Sequence, residues 1–195
     1  MSAIPAGLWA VASDLRSAEQ ARQWQRSASA AAAFTVRRWP HQERDGLAVQ
    51  QQLHGSDHWS ASHGRADLAL LAGAQAVIAG IRSLPVAAYR QAFPQLLVGA
   101  STHSMEEAQA AVDGGAHFLV FGPVWDTPEK SGILAPRGLQ SLEEVVALGL
   151  PVVAIGGIED PSQIQQLQEV GAHAAAVLRV ARETDKLQAL VDAWK

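Results

Sequence analysis

The chain contains no cysteine, which excludes disulfide bridges, thiol nucleophiles and zinc–thiolate centres and makes a reducing compartment its plainest setting. Excess positive charge is also missing: 15 Lys and Arg against 19 Asp and Glu give a formal net charge of -4, with the signs interspersed. No basic stripe can neutralise a phosphate backbone or an anionic leaflet, so neither nucleic acid nor membrane is an expected partner. No apolar run approaches the roughly 18 residues a membrane span needs. The N-terminus lacks the basic region of a signal peptide, so the expectation is a cytoplasmic, soluble protein. Metal-ligand spacing is absent too. His41, His54, His58, His63, His117 and His173 form no pair at helical ligand spacing with an acid alongside, and neither metal nor cofactor is expected.

What is present describes a folded chain. Hydrophobic residues make up 48% and charged residues 17% of 195 residues, a globular composition sufficient for the core of one domain spanning 1–195. Eight short apolar runs recur: Leu8–Ala12, Phe34–Trp39, His58–Ser62, Ala76–Gly80, Leu96–Ala100, Phe118–Gly122, Val152–Gly156 and Ala174–Arg179. Between them lie helix signals. Ser104 with Glu107 and Ser141 with Glu144 form capping boxes, with stops at Gly114 and Gly149; Asp160, Pro161 and Gln163 start a third helix closed by Gly171. Ala18–Ala33 reads as an alanine-rich helix, whereas residues 41–57 are polar and only weakly periodic. Continuously apolar strands such as VVAIGG and FLVFG suit a parallel sheet covered on both faces. Repeated β/α units in this number favour a single-domain α/β fold, the (β/α)8 TIM barrel, short and irregular in its first half; a doubly wound open sheet is the alternative.

In such a barrel the reactive groups gather where strands end, because the following loops converge on one mouth. Gly156 and Gly157 after the seventh run, with Arg179 after the eighth, suit a phosphate: glycines admit close backbone N–H approach, and a guanidinium pairs bidentately. Their ordinary reading is a tight turn and a surface cation. Ser101 and His103 end the fifth run as a hydrogen-bond donor and a proton carrier, or merely as polar loop residues. No G-x-S-x-G elbow surrounds Ser101 and no third orienting group is assignable, so acyl transfer is not expected. The loop after the sixth run offers Thr127, Lys130 and the slack of Gly132, fit for wrapping an anion or for no more than solvated surface. His63 stands at a strand end.

Three stretches, Gly99-Ala-Ser-Thr-His-Ser-Met-Glu-Glu-Ala108, Phe121-Gly-Pro-Val-Trp-Asp-Thr-Pro-Glu-Lys130 and Pro151-Val-Val-Ala-Ile-Gly-Gly-Ile158, resemble the thiamine phosphate synthase and TenI superfamily. The resemblance is specific from about residue 60 to residue 182. It implies a (β/α) barrel that handles a phosphorylated thiazole, either coupling it to a pyrimidine diphosphate with Mg²⁺ or tautomerising a thiazole carboxylate phosphate. It also implies that Ser101, Thr127 and Lys130 meet the diphosphate, that Gly157, Leu178 and Arg179 meet the thiazole phosphate, and that the protein is a homodimer.

The departures from the family pattern set the expected activity. A Gln-x-Arg-x-Lys clamp is reduced to Arg37 in Thr35-Val-Arg-Arg-Trp39, and the two metal-binding aspartates are replaced by Gly64, in His63-Gly-Arg65, and by Ser83. Mg²⁺ demands hard oxygen ligands, so this pattern favours the TenI branch: an isomerase, a thiazole tautomerase working by metal-independent proton transfer. Arg37 would then meet the substrate carboxylate. Pro123 replaces the histidine proposed as proton carrier in that branch, leaving His103, then Lys130, then His63 as acid/base candidates, with Glu129 also on the flap. Glu129 stands where the synthase has a threonine, and it would repel a diphosphate. The alternatives are the synthase reaction itself and a non-catalytic phosphate-ligand-binding homologue.

Overall fold

A computed structural model describes residues 4–37, 43–55 and 57–194. In chain order it runs β1 (Gly7–Ala12), α1 (Ala18–Ser27), β2 (Ala33–Val36), α2 (Glu43–His54), β3 (Trp59–His63), α3 (Ala66–Ala72), β4 (Ala76–Ala79) and α4 (Val86–Ala92). It continues through β5 (Leu97–Thr102), α5 (Met105–Asp113), β6 (Phe118–Phe121), α6 (Gly138–Val146), β7 (Val152–Ile155), α7 (Pro161–Glu169), β8 (Ala174–Val177) and α8 (Thr184–Ala193). Each strand pairs in parallel with its sequence neighbours, and β1 closes the sheet onto β8 through Trp9 opposite Ala176. The result is the (β/α)8 barrel. No helix among the described residues is long and apolar enough to cross a membrane.

Alternation along each strand splits the core in two. Inward residues fill the barrel: Trp9, Trp59 and Phe118 pack their rings in tilted and edge-on contacts, with centroids 4.9 Å apart for the tryptophans and 5.7 Å from Trp9 to Phe118. Phe118 needs the room that Gly99 leaves, for a Cβ at that position would lie 2.3 Å from its ring. Outward residues such as Leu8, Phe34, Val98 and Leu119 join the apolar faces of the helices, including Trp24, Leu142 and Leu167.

Side-chain caps begin α1, α5 and α7, and two of the three expected capping signals depart from their pattern. Asp160 forms a complete capping box with Gln163, and Ser17 accepts a hydrogen bond from the Gln20 N–H. At Ser104 the box is only half built: the hydroxyl accepts from the Glu107 N–H, while the Glu107 carboxylate turns to His103. Ser141 is not a cap but lies inside α6. That helix begins at Gly138, where the Arg137 and Gly138 N–H groups are held by the Pro123 and Val124 carbonyls.

Two first-half expectations also change. The alanine run does not stay helical to Ala33: α1 ends at Ser27 because the Ala32 N–H bonds the Leu8 carbonyl at 2.7 Å and Ala33 pairs with Trp9 in the sheet. Tertiary pairing overrides alanine propensity there. The polar stretch after β2 contains a full helix, α2, whose inner face carries Val49 and Leu53 beside the buried Gln50 and His54. The second strand expected over Phe34–Trp39 runs Ala33–Val36; Arg38, Trp39 and His41 lie outside the described residues.

Candidate active site

Inward parity, continued past the last paired residue of each strand, aims side chains into the mouth. Arg37 follows inward Thr35, Ser101 and His103 follow Gly99, and Leu178 follows Ala176. His63, Thr127, Lys130, Gly156, Gly157 and Arg179 join them, so all ten residues singled out in the sequence line one cavity. Pro123, Glu129 and Glu159 line it as well.

The side formed by β7 and β8 is charge-balanced. Arg179 Nη1 lies 3.3 Å from Glu129 Oε2, and its Nη2 is hydrogen-bonded to Glu159 Oε1. The Thr127 hydroxyl donates to the same Glu129 carboxylate. Burial would raise the Glu129 pKa, but that hydroxyl, the residue's own backbone, Arg179 and Arg37 outweigh it and hold the group below the ordinary carboxylate value. Arg179, which the sequence offers as a phosphate cation, is here the centre of a carboxylate–guanidinium–carboxylate bridge tying the β6–α6 loop to the end of β8. Gly156 and Gly157 take φ of +104° and +70°, and a Cβ on either would meet the incoming loop: Pro123 Cα at 2.6 Å from the first, the Asp126 carbonyl at 2.5 Å from the second. Both glycines are thus required by close packing under the loop as well as by their place in the mouth.

Lys130 and Arg37 add positive charge to the same cavity. Lys130 is partly buried, and that burial, with Arg37 close enough to repel it, lowers its pKa from the usual lysine value against a smaller pull from Glu107. No ion pair within contact range holds its ammonium among the described residues. His63 is pushed down to about 4 by burial and then by Arg37, so it is neutral at physiological pH. His103 is lowered by burial, against the hydrogen bond to the Glu107 carboxylate that raises it, with Lys130 and Arg137 lowering it further. Glu107 Oε2 lies 3.2 Å from His103 Nδ1 and accepts the His103 backbone N–H at 2.7 Å. One carboxylate thereby fixes both ring and backbone.

Glu107 and Glu159 are what the sequence reading missed. Glu107 was absorbed by the cap pattern, although its i,i+4 spacing from His103 is a signal that the two can meet at a helix start. Glu159 gave no pattern; only the approach of β7 and β8 joins it to Arg179.

The residues do not fit a divalent cation where the family resemblance implies one. Gly64 adopts φ +74°, and a Cβ there would stand 3.3 Å from Ser83 Oγ. That hydroxyl accepts the Gly80 N–H at 3.0 Å, and the Tyr89 hydroxyl donates to the Gly64 carbonyl at 2.7 Å. The two positions face each other, but neither carries a carboxylate and little space separates them. No group of three His, Asp or Glu suited to a metal occurs among the described residues.

Comparison with known proteins gives these features a lineage. The chain is 47% identical over 116 residues to the thiamine-phosphate synthase of Anaeromyxobacter dehalogenans, covering 58% of this chain and 52% of that one. It is 36% identical over 161 residues to the thiamine-phosphate synthase of Mycobacterium tuberculosis, covering 78% and 72%. The matched region thus spans about half of the first relative and nearly three quarters of the second. A solved thiamine phosphate pyrophosphorylase from Pyrococcus furiosus superposes with a TM-score of 0.78 at 27% identity over 95% of both chains. These names overturn the expectation that an isomerase outweighs a transferase: the relatives are named for a group-transfer reaction, and the TenI branch is not singled out. The lost aspartates do not by themselves decide between the two reactions, for Arg37 and Lys130 remain in the cavity. Residues 62–181 match the thiamine monophosphate synthase family, and with the mycobacterial relative this establishes that the chain belongs to that family.

Proposed function

We propose that this protein is a transferase of thiamine biosynthesis that joins a thiazole phosphate to a pyrimidine diphosphate, giving thiamine phosphate and pyrophosphate. The reading rests on the relatives' names and on one observation: a single cavity gathers three cations from separate segments of the chain. Arg37, Lys130 and Arg179 line it together with the hydroxyls of Ser101 and Thr127 and the backbone of Gly156 and Gly157. A coupling of two phosphorylated fragments needs such an arrangement, because holding both partners in one orientation supplies much of the rate. In the coupling, the carbon–oxygen bond to the diphosphate breaks and pyrophosphate leaves with the electron pair. The ring nitrogen of the thiazole donates its lone pair to that carbon. Fixed positive charge aimed at the leaving oxygens favours this charge development. The Thr127 hydroxyl, at present donated to Glu129, and the Ser101 hydroxyl are the neutral donors within the same cavity.

The test is direct. Purified protein with both substrates, with and without a divalent cation, should accumulate thiamine phosphate measurable by chromatography, and Lys130→Ala should lower the rate at least tenfold. A second reading, a phosphate-ligand binder without turnover, is favoured by the compensated Arg179. Thermal stabilisation by thiazole phosphate with no product under either condition would replace the transferase reading with that one.

A further inference from the structure

We infer that the diphosphate end of this site is built to hold its anion by fixed side-chain charge, Lys130 together with Arg37, in the role that a divalent cation fills in the family. The inference deepens the proposed transferase reading and rests on it. Three observations carry it.

The place for a cation has lost both its donors and its room. Gly64 and Ser83 stand where the family resemblance implies carboxylates, a Cβ on Gly64 would come within 3.3 Å of Ser83 Oγ, and that oxygen is tied back to the Gly80 N–H. A hydroxyl engaged in this way and a backbone carbonyl capped by Tyr89 do not make the set of hard, charged oxygen donors that Mg²⁺ requires.

The same cavity brings together two cations from separate segments. Arg37 comes from the end of β2 and Lys130 from the β6–α6 loop. Like charges partly withdrawn from water repel, and the fold keeps them together against that cost. Lys130 has no side-chain ion pair among the described residues, so a multiply charged anion entering the cavity would relieve the repulsion and gain charge-assisted hydrogen bonds.

The third observation is that Arg179 is already engaged by Glu129 and Glu159, whereas Lys130 has no such pair among the described residues. A divalent ion accompanying the diphosphate would lower the charge that the cavity's cations are placed to meet.

The experiment is calorimetric titration of the full chain with inorganic pyrophosphate, in EDTA and in excess Mg²⁺. Binding in EDTA equal to or tighter than in Mg²⁺ is expected, with Lys130→Ala weakening it at least tenfold and Lys130→Arg retaining most of it. Binding at least tenfold tighter with Mg²⁺ overturns the inference while leaving the transferase reading intact. Metal-free pyrophosphate binding in a protein that forms no thiamine phosphate overturns the transferase reading and leaves the anion site standing. No pyrophosphate binding in either buffer overturns both.

Discussion

Glu129 is the residue whose substitution is most informative at the smallest scale. Its carboxylate neutralises Arg179 and accepts the Thr127 hydroxyl, so it occupies two groups that a phosphorylated ligand would use. Glu129→Gln removes the negative charge and keeps the shape; it should tighten thiazole phosphate binding about threefold to tenfold, an effect of roughly 1 kcal/mol typical of a partly exposed charge pair. Titration calorimetry of the two proteins would show it. The second residue-scale prediction concerns Glu107, which raises the His103 pKa against burial. Removing it in Glu107→Gln should lower the His103 pKa below its wild-type value, read by NMR titration of the ring protons. A shift upward would mean that the carboxylate does not act on the ring. How far such roles could be read from sequence differs between the two residues. Glu129 stood out as an acid in an otherwise anion-suited loop, but its partner lies 50 positions away across the mouth. Glu107 is only four positions from His103, and its better-known use as a cap residue concealed it.

Among the elements, α2 holds the clearest pH dependence. His54 is buried on that helix, no partner for either ring nitrogen is found among the described residues, and burial lowers its pKa to about 4. The unfolded chain binds its proton near pH 6.5, so stability is fully present above that value and is lost as pH falls toward 4. This single group should cost about 2 kcal/mol at pH 5. Urea unfolding at pH 7.5 and pH 5 should reveal the loss, and His54→Leu should shrink the difference between the two. The β6–α6 loop yields a second element-scale expectation. Gly157→Ala places a Cβ 2.5 Å from the Asp126 carbonyl at a φ of +70°, so it should destabilise the protein by about 2 kcal/mol or more and loosen the loop. Denaturant midpoints would measure the first effect, and protease sensitivity near Lys130 the second. The sequence marked this glycine pair as a turn or a phosphate cradle. Only the folded chain adds that the β6–α6 loop packs directly on it.

At the scale of the molecule, closure of the barrel depends on layers of inward side chains fitting one another. Gly99 and Phe118 are opposed across the β5–β6 pair, and the phenyl ring occupies the space a Cβ at 99 would take. Gly99→Ala should therefore cost about 1–3 kcal/mol through overpacking. Phe118→Leu in the same chain should recover part of that loss, a coupling that a double-mutant cycle on unfolding free energies would quantify. Simple addition of the two losses would show that the contact does not govern the fit.

The sequence by itself determined the barrel, because continuous apolar runs at β/α spacing leave few ways to bury both faces of a parallel sheet. It also determined which residues reach the mouth, because strand parity and strand ends are local properties, and all ten candidates line one cavity. Only the tertiary structure decided the end of α1, where Ala33 exchanges helix propensity for a place opposite Trp9. It likewise decided the start of α6 at Gly138, set by carbonyls of the preceding loop. The charge state of the mouth was decided there too. Arg179 meets Glu129 and Glu159, and Lys130 meets the field of Arg37, because strands remote in sequence become neighbours on closure. Electrostatic interaction depends on distance in space, and residue order carries that distance only within a helix turn or a strand pair.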